Sequence, residues 1–220
     1  MKGENRETRG DNAERSANHN PLLILISAPS GGGKTTLQNE LLKARPELAR
    51  AVTCTTREPP DGEKDGVDYY FLDAGSFLKR VQAGNFLEHA TVYGHSYGTL
   101  KSEVLGKLRA GKDVLLSVDV QGAATIRKCA DEDPELKRAL VTVFLTPDSV
   151  ATLEKRLRKR GKDSAAVIQK RLAVAKQEVA QWKNFDYLII SGSIPEDLRH
   201  MISIYEAEKM RPARATPPEF

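Results

Sequence analysis

The stretch Leu22–Thr36 reads LLILISAPSGGGKTT, and the expected fold follows from it. Its first part, Leu22-Leu23-Ile24-Leu25-Ile26, is a short unbroken apolar run that fits a strand buried on both faces. Ser27-Ala28-Pro29-Ser30 cannot continue a helix, so the strand ends there. Gly31, Gly32 and Gly33 let the backbone curl with successive N–H groups pointing inward, and the next helix begins with its positive dipole end facing the same hollow. That geometry binds polyphosphate. Lys34 reaches toward the β- and γ-phosphates, and the Thr35 hydroxyl can bind the magnesium that bridges them. The stretch is thus a nucleoside-triphosphate loop with one departure, Ala28 where the first glycine of the pattern usually stands. Thr36 is expected to serve helix packing.

Beyond the loop, Leu37, Leu41 and Leu42 give the first helix its apolar stripe, and Arg45-Pro46 ends it. Ala51-Val52-Thr53 reads as a short strand. Thr55-Thr56-Arg57 with Pro59-Pro60 reads as a rigid polar loop and a candidate anion site. Val67–Leu72 and Phe86–Ala90 read as strands on either side of a helix at Ser76–Ala83, and Tyr93–Thr99 as a turn rich in hydrogen-bonding groups. After a helix at Ser102–Ala110, Val114–Asp119 is a second buried strand. In open parallel sheets ligands gather beyond the carboxyl ends of strands, so Asp119 is expected to face the same crevice as Lys34; the alternative is a helix N-cap. Ala139–Leu145 and Tyr187–Ser191 complete the core strands. Helices and strands therefore alternate around a parallel sheet, interrupted between about Thr53 and Ser102 by a strand-rich insertion.

The chain has 220 residues, 40% of them hydrophobic, which suits one large domain with appended parts. The formal charge of +4 comes from 34 basic and 30 acidic residues, an excess too thin to choose between small anions and nucleic acid. Cys54 and Cys129 have no framework spacing, which points to a reducing compartment, and no apolar stretch reaches membrane length. A soluble cytoplasmic protein is expected. The segment 1–20 has nothing apolar and bulky to bury, and 211–220 is proline-broken, so both read as mobile tails. The basic run Lys155–Lys162 fits a solvated face, a nucleic-acid patch or a mobile lid over a bound triphosphate, and the phosphate loop favours the lid.

Taken together the motifs resemble guanylate kinase from about Leu22 to Met210. They are the loop itself, Thr55-Thr56-Arg57, Gly66–Phe71, Phe86-Leu87-Glu88-His89-Ala90, Tyr97-Gly98-Thr99, Val118-Asp119-Val120-Gln121-Gly122, Arg156 with Arg160-Gly161, and Lys170-Arg171-Leu172. The resemblance implies an α/β fold of the P-loop nucleoside-monophosphate-kinase type, a parallel sheet flanked by helices with an inserted strand-rich GMP-binding lobe and a helical lid. It places the core at 21–52 and 101–210, the lid at about 155–171 and the lobe at 53–100. It implies ATP contacts at Ala28, Pro29, Ser30, Gly31, Gly32, Gly33, Lys34, Thr35 and Thr36, with Mg²⁺ at Thr35. GMP contacts fall at Thr53, Arg57, Tyr69, Glu88, Tyr97, Gly98, Thr99 and Asp119, and the catalytic cations at Lys34, Arg57, Arg156, Arg160 and Arg171. The implied partners are ATP and GMP, with neither nucleic acid nor membrane, in a monomer or homodimer.

Three positions depart from the family pattern. Pro60 stands where a second phosphate-binding arginine is common, Ser117 where one of two strand acids is usual, and Ser191 where an asparagine near the adenine is common. Lys64 is placed to compensate for Pro60. Rival readings are a catalytically silent binding module on the same fold, a kinase for another phosphorylated acceptor such as a ribose bisphosphate, and a nucleic-acid-binding P-loop protein. The intact loop and lid oppose the first, and Glu88 with Thr53 opposes the second, because a sugar presents no paired N–H edge.

Overall fold

The computed structural model describes residues 19–92, 94–161 and 164–216. Residues 1–18 of the expected leading tail, Tyr93 of the expected turn, Lys162 of the basic run and 217–220 lie outside them. In chain order the elements are β1 (Leu23–Ser27), α1 (Lys34–Ala44), β2 (Ala49–Arg50), β3 (Cys54–Thr55), β4 (Tyr70–Phe71), α2 (Ala74–Gln82), β5 (Phe86–Val92), β6 (His95–Leu100), α3 (Lys101–Arg109), β7 (Val114–Ser117), α4 (Val120–Glu132), α5 (Pro134–Ala139), β8 (Leu140–Pro147), α6 (Val150–Lys159), α7 (Ala165–Val179), β9 (Tyr187–Ser191) and α8 (Ile194–Lys209).

The core sheet has the order β2-β7-β1-β8-β9 and is parallel throughout. Leu23 of β1 pairs with Val114 on one side and Leu140 on the other, which puts the apolar run at the centre. Its side chains then divide by the strand's period of two. Ile24 and Ile26 join Leu37, Leu41, Met201 and Tyr205 beneath α1 and α8, while Leu23 and Leu25 join Val104, Leu116, Ile126 and Leu136 on the opposite face. Each fully buried Leu or Ile contributes about 1.5–3 kcal/mol. The whole of β1 is buried. No helix among the described residues is long and apolar enough to cross a membrane.

A second, four-stranded sheet has the order β4-β3-β6-β5, with a small core of Cys54, Phe77 and Phe86. Burial pushes the Cys54 thiol up to about 11. A third cluster, Leu153 and Leu157 against Ile168, Leu172 and Ala175, holds α6 to α7 as a helical hairpin.

Several expected boundaries move. Ala51-Val52-Thr53 is not a strand, because the Val52 N–H donates to Glu103 Oε1 at 2.8 Å instead of to a neighbouring strand. Val67–Leu72 shrinks to β4, since the N–H groups of Val67 and Asp68 both turn back to the Lys64 carbonyl. His95–Leu100 is strand β6 where a turn was expected at Tyr93–Thr99; it pairs with β5 along its length and with β3 at Cys54↔Gly98. Helix α5 was not expected, although Pro134 at its first turn and the Asp133 cap, which accepts from the N–H groups of Glu135 and Leu136, are an ordinary start signal.

The expected tails also need correction where they are described. His19 pairs with Asp113, whose carboxylate also accepts from the Leu22 N–H and from the Tyr205 hydroxyl. The Asn20 N–H donates to the Arg214 carbonyl at 2.7 Å. Arg214 is itself 6% exposed and pairs with Glu208, which is 1% exposed and also accepts from the Tyr187 hydroxyl and Arg211. Composition hid these anchors because charged side chains read as solvated until the fold buries them against a partner, as it does His19 against Asp113 and Arg214 against Glu208. Arg214→Ala takes the buried cation from Glu208, leaving it the Tyr187 hydroxyl and the more exposed Arg211, and is expected to cost about 2 kcal/mol, a fall of roughly 4–8 °C in Tm. Thermal unfolding of that variant, with Arg214→Ala/Glu208→Gln restoring part of the loss, checks it.

Candidate active site

The phosphate loop leaves β1 at Ser27 and turns sharply. The Gly32 N–H donates to the Pro29 carbonyl at 2.8 Å, and a Cβ at Gly32 would stand 2.9 Å from that same oxygen. Gly31 has φ +90° and Gly33 φ +104°, where side chains other than glycine are strained. Gly33 is the N-cap of α1, yet no side chain caps the helix and its first turn has no acidic residue. Its N–H groups are left open to an anion. Ala28, in place of the expected glycine, buries its methyl group in the core beside Leu37.

The loop encloses a recess of about 240 Å³ lined by Ala28–Thr35, Asp119, Arg160 and Glu178. The Lys34 ammonium is anchored there by donation to the Val118 carbonyl at 2.8 Å. Burial lowers its pKa, opposed by Asp119, Glu178 and Glu88. Thr35 is exposed at the mouth. Asp119 satisfies both of its expected readings: it caps α4 by accepting from the Gly122 N–H at 2.7 Å, and it lines the recess. Glu178, for which the sequence offers no local signal, accepts from the Ser30 N–H at 3.3 Å, and burial raises its pKa.

The second sheet brings its polar groups to the same crevice. Glu88 of β5 lies opposite Thr99 of β6, next to an irregularity of register, and the Thr99 hydroxyl donates to Glu88 Oε1 at 2.6 Å. Glu88 is 8% exposed, and its carboxyl is held above the usual range by burial. Its other oxygen points at α4, where only glycine fits closely: a Cβ at Gly122 would come within 3.1 Å. Gly98 is equally confined, by Phe86 and the Glu88 carbonyl. Thr53 stands just before β3, its carbonyl accepting from the Tyr70 N–H. The Arg57 guanidinium lies 5.5 Å from the centre of the Tyr69 ring, and the Tyr69 and Tyr97 rings are 6.3 Å apart. Pro60 is exposed in the adjoining loop.

The lid hairpin places its three arginines differently. Arg160, at the end of α6, lines the phosphate recess and also a neighbouring cleft of about 430 Å³. Arg156 lines that cleft with it, beside Thr36, Leu37, Ser191, Gly192 and Ile194. There it donates to the Gly32 carbonyl at 3.2 Å and to Ser191 Oγ at 3.1 Å. Ser191 Oγ donates in turn to the buried Asp197 at 2.7 Å, so a short hydroxyl replaces the expected asparagine by bridging two charges. Thr36 is exposed at this cleft, not packed inside the helix layer. Arg171 is half-buried on α7, two turns before Glu178 and on the same face, and among the described residues it lines neither cavity.

A glycine-rich loop opening the first helix of a parallel sheet, faced by a smaller sheet that offers a buried carboxylate and an arginine among tyrosines, defines a P-loop phosphotransferase of the nucleoside-monophosphate-kinase type. The family model described as Guanylate kinase matches residues 20–208. Guanylate kinase of Coxiella burnetii is 43% identical over 86% of this chain and 88% of its own length. That of Carboxydothermus hydrogenoformans is 40% identical over 89% and 93%. The crystal structure of guanylate kinase from Anaplasma phagocytophilum superposes with a TM-score of 0.69 at 29% identity, covering 89% of this chain and 90% of that one. The chain belongs to the guanylate kinase family.

Proposed function

We propose that this chain transfers the γ-phosphoryl group of ATP to GMP, giving ADP and GDP, and so serves purine nucleotide metabolism; dGMP offers the same base edge and phosphate. The observation that carries the reading is Glu88, a carboxylate 8% exposed and fixed by Thr99 within the electrostatic reach of Lys34. Guanine presents N1–H and N2–H₂ side by side, two donors that match one acceptor-only carboxylate, and adenine has no such pair. Thr53 is assigned to the guanine O6, and Thr99 and Asp119 to the neighbourhood of the base. Gly98 supplies the close backbone approach. Arg57, Tyr69 and Tyr97 form the pocket for the GMP phosphate.

The nucleophile is a phosphate oxygen, already anionic at neutral pH, so no general base is required and catalysis reduces to alignment and charge neutralisation. Ala28–Gly33 and the open N-terminus of α1 hold the β- and γ-phosphates by backbone N–H groups. Lys34, fixed by Val118, and Arg160 neutralise the transferring group. Arg156 and Arg171 join from the lid hairpin as it closes. Kinases of this kind work with a divalent metal; the Thr35 hydroxyl at the mouth would hold Mg²⁺, which takes few protein ligands and keeps several waters. When bound, the ion would neutralise phosphate charge.

ADP formation followed in parallel with GMP, AMP, UMP and CMP as acceptors tests this directly. GMP is expected to be used at least about a hundredfold better than AMP. Equal use of AMP rules the assignment out.

A further inference from the structure

Arg57 already holds a negative charge of the chain's own. Its Nη2 donates to Glu63 Oε2 at 2.7 Å and its Nη1 to the Glu58 carbonyl at 3.1 Å, while the Tyr69 and Phe71 rings back the guanidinium. The loop is built to bring Glu63 there. Pro59 and Pro60 stiffen it, and the Glu63 N–H donates to the Pro60 carbonyl at 3.2 Å, a turn that returns the carboxylate to the arginine three residues before Pro60. A carboxylate and a phosphate ester are alternative partners for one guanidinium fork. The edge that Arg57 offers to Glu63 is therefore the edge a monophosphate needs.

We propose that Glu63 is a displaceable stand-in for the acceptor's phosphate. This rests on the reading of Arg57 as a ligand of that phosphate. In the empty chain Glu63 neutralises Arg57 and keeps it extended over Tyr69; the incoming nucleoside monophosphate takes its place, and the carboxylate reclaims the arginine when product leaves. The exchange is easy because the pair is not sealed from water: the two side chains are 27% and 30% exposed. Bonds of that kind shift an equilibrium by up to about fivefold. With Pro60 where a second arginine is common, Arg57 faces this internal competitor without that help. Glu63 thus lowers affinity for GMP without touching the base.

The test is isothermal titration of the full chain with GMP, using guanosine as the ligand without a phosphate. In Glu63→Gln, which keeps the shape and drops the charge, the Kd for GMP is expected to fall about twofold to fivefold while that for guanosine stays put. Glu63→Ala is expected to move both in the same way. A GMP Kd that is unchanged or raised in both variants overturns the exchange, a rise meaning that Glu63 orients Arg57 for the phosphate. Arg57→Ala separates the two levels. If it weakens GMP and spares guanosine, the reading of Arg57 stands whatever Glu63 does; if GMP binds as before, that reading falls and the exchange with it.

Discussion

Glu88→Gln is expected to lower kcat/KM for GMP by at least about a hundredfold, the cost of meeting one guanine donor with an amide donor in a site that excludes water. The same change is expected to raise the Tm of the empty chain at neutral pH. Glu88 is 8% exposed, and burial holds its folded pKa above the unfolded value. Stability from such a group is fully present below the unfolded pKa and is lost as pH rises through the folded one. Above that range the ionised carboxylate is a burden on the fold that guanine relieves. The substituted amide carries no charge, yet its carbonyl can still accept from the Thr99 hydroxyl. Acidification of the unsubstituted chain through the raised pKa has the mirror effect: GMP affinity drops because the protonated carboxyl no longer offers two acceptors. Steady-state kinetics and thermal unfolding across pH check both halves. A variant that keeps wild-type kcat/KM for GMP refutes the role of Glu88.

Lys34→Ala is expected to reduce kcat by about 10²–10³ or more, with the Kd for GMP within about twofold of the unsubstituted value. The ammonium is held by the Val118 carbonyl at 2.8 Å in a recess that, among the described residues, contains no other lysine, so no like neighbour can replace its charge. Lys34→Arg is not expected to rescue, because a planar fork cannot keep that single anchor and still reach the phosphates as a point charge. Single-turnover measurement with saturating ATP and GMP separates loss of chemistry from loss of binding. Undiminished turnover in Lys34→Ala contradicts the mechanism.

Much of this was legible in the sequence, for reasons that differ by element. The apolar run Leu22–Ile26, cut off by Pro29 and glycines, is too short for a helix and fits the buried central strand β1, and the glycines after it take φ angles of +90° and +104°. Glu88, Thr99 and Asp119 could be found because their spacing matches a known pattern, although their convergence on Lys34 is a matter of tertiary structure. The strand at His95–Leu100 was hidden, since His, Ser, Gly and Thr favour turns and only pairing with β5 and β3 makes them extended. Glu178, 148 residues from the Ser30 N–H it meets, and Asp197, which accepts from the Ser191 hydroxyl that Arg156 meets, carried no local signal. Each is an ordinary polar residue on a helix or strand end, and only the folded chain brings it to the loop. Arg156 and Arg160 differ by four positions, one helical turn, and line one cleft together, but Arg160 alone of the two also borders the phosphate recess.

The bridge between His19 and Ala215 has a practical side. Asp113, to which His19 and the Leu22 N–H are both tied, precedes β7 as Leu22 precedes β1, whereas the phosphate loop follows β1. Both ends of the described chain thus emerge side by side on the face opposite substrate entry. A short peptide spliced from residue 216 to residue 19, with any affinity handle or fluorophore carried on it, joins these two points without crossing the crevice. Such a circularised backbone, reopened at the exposed tip around Gly84, is a natural scaffold for permutation.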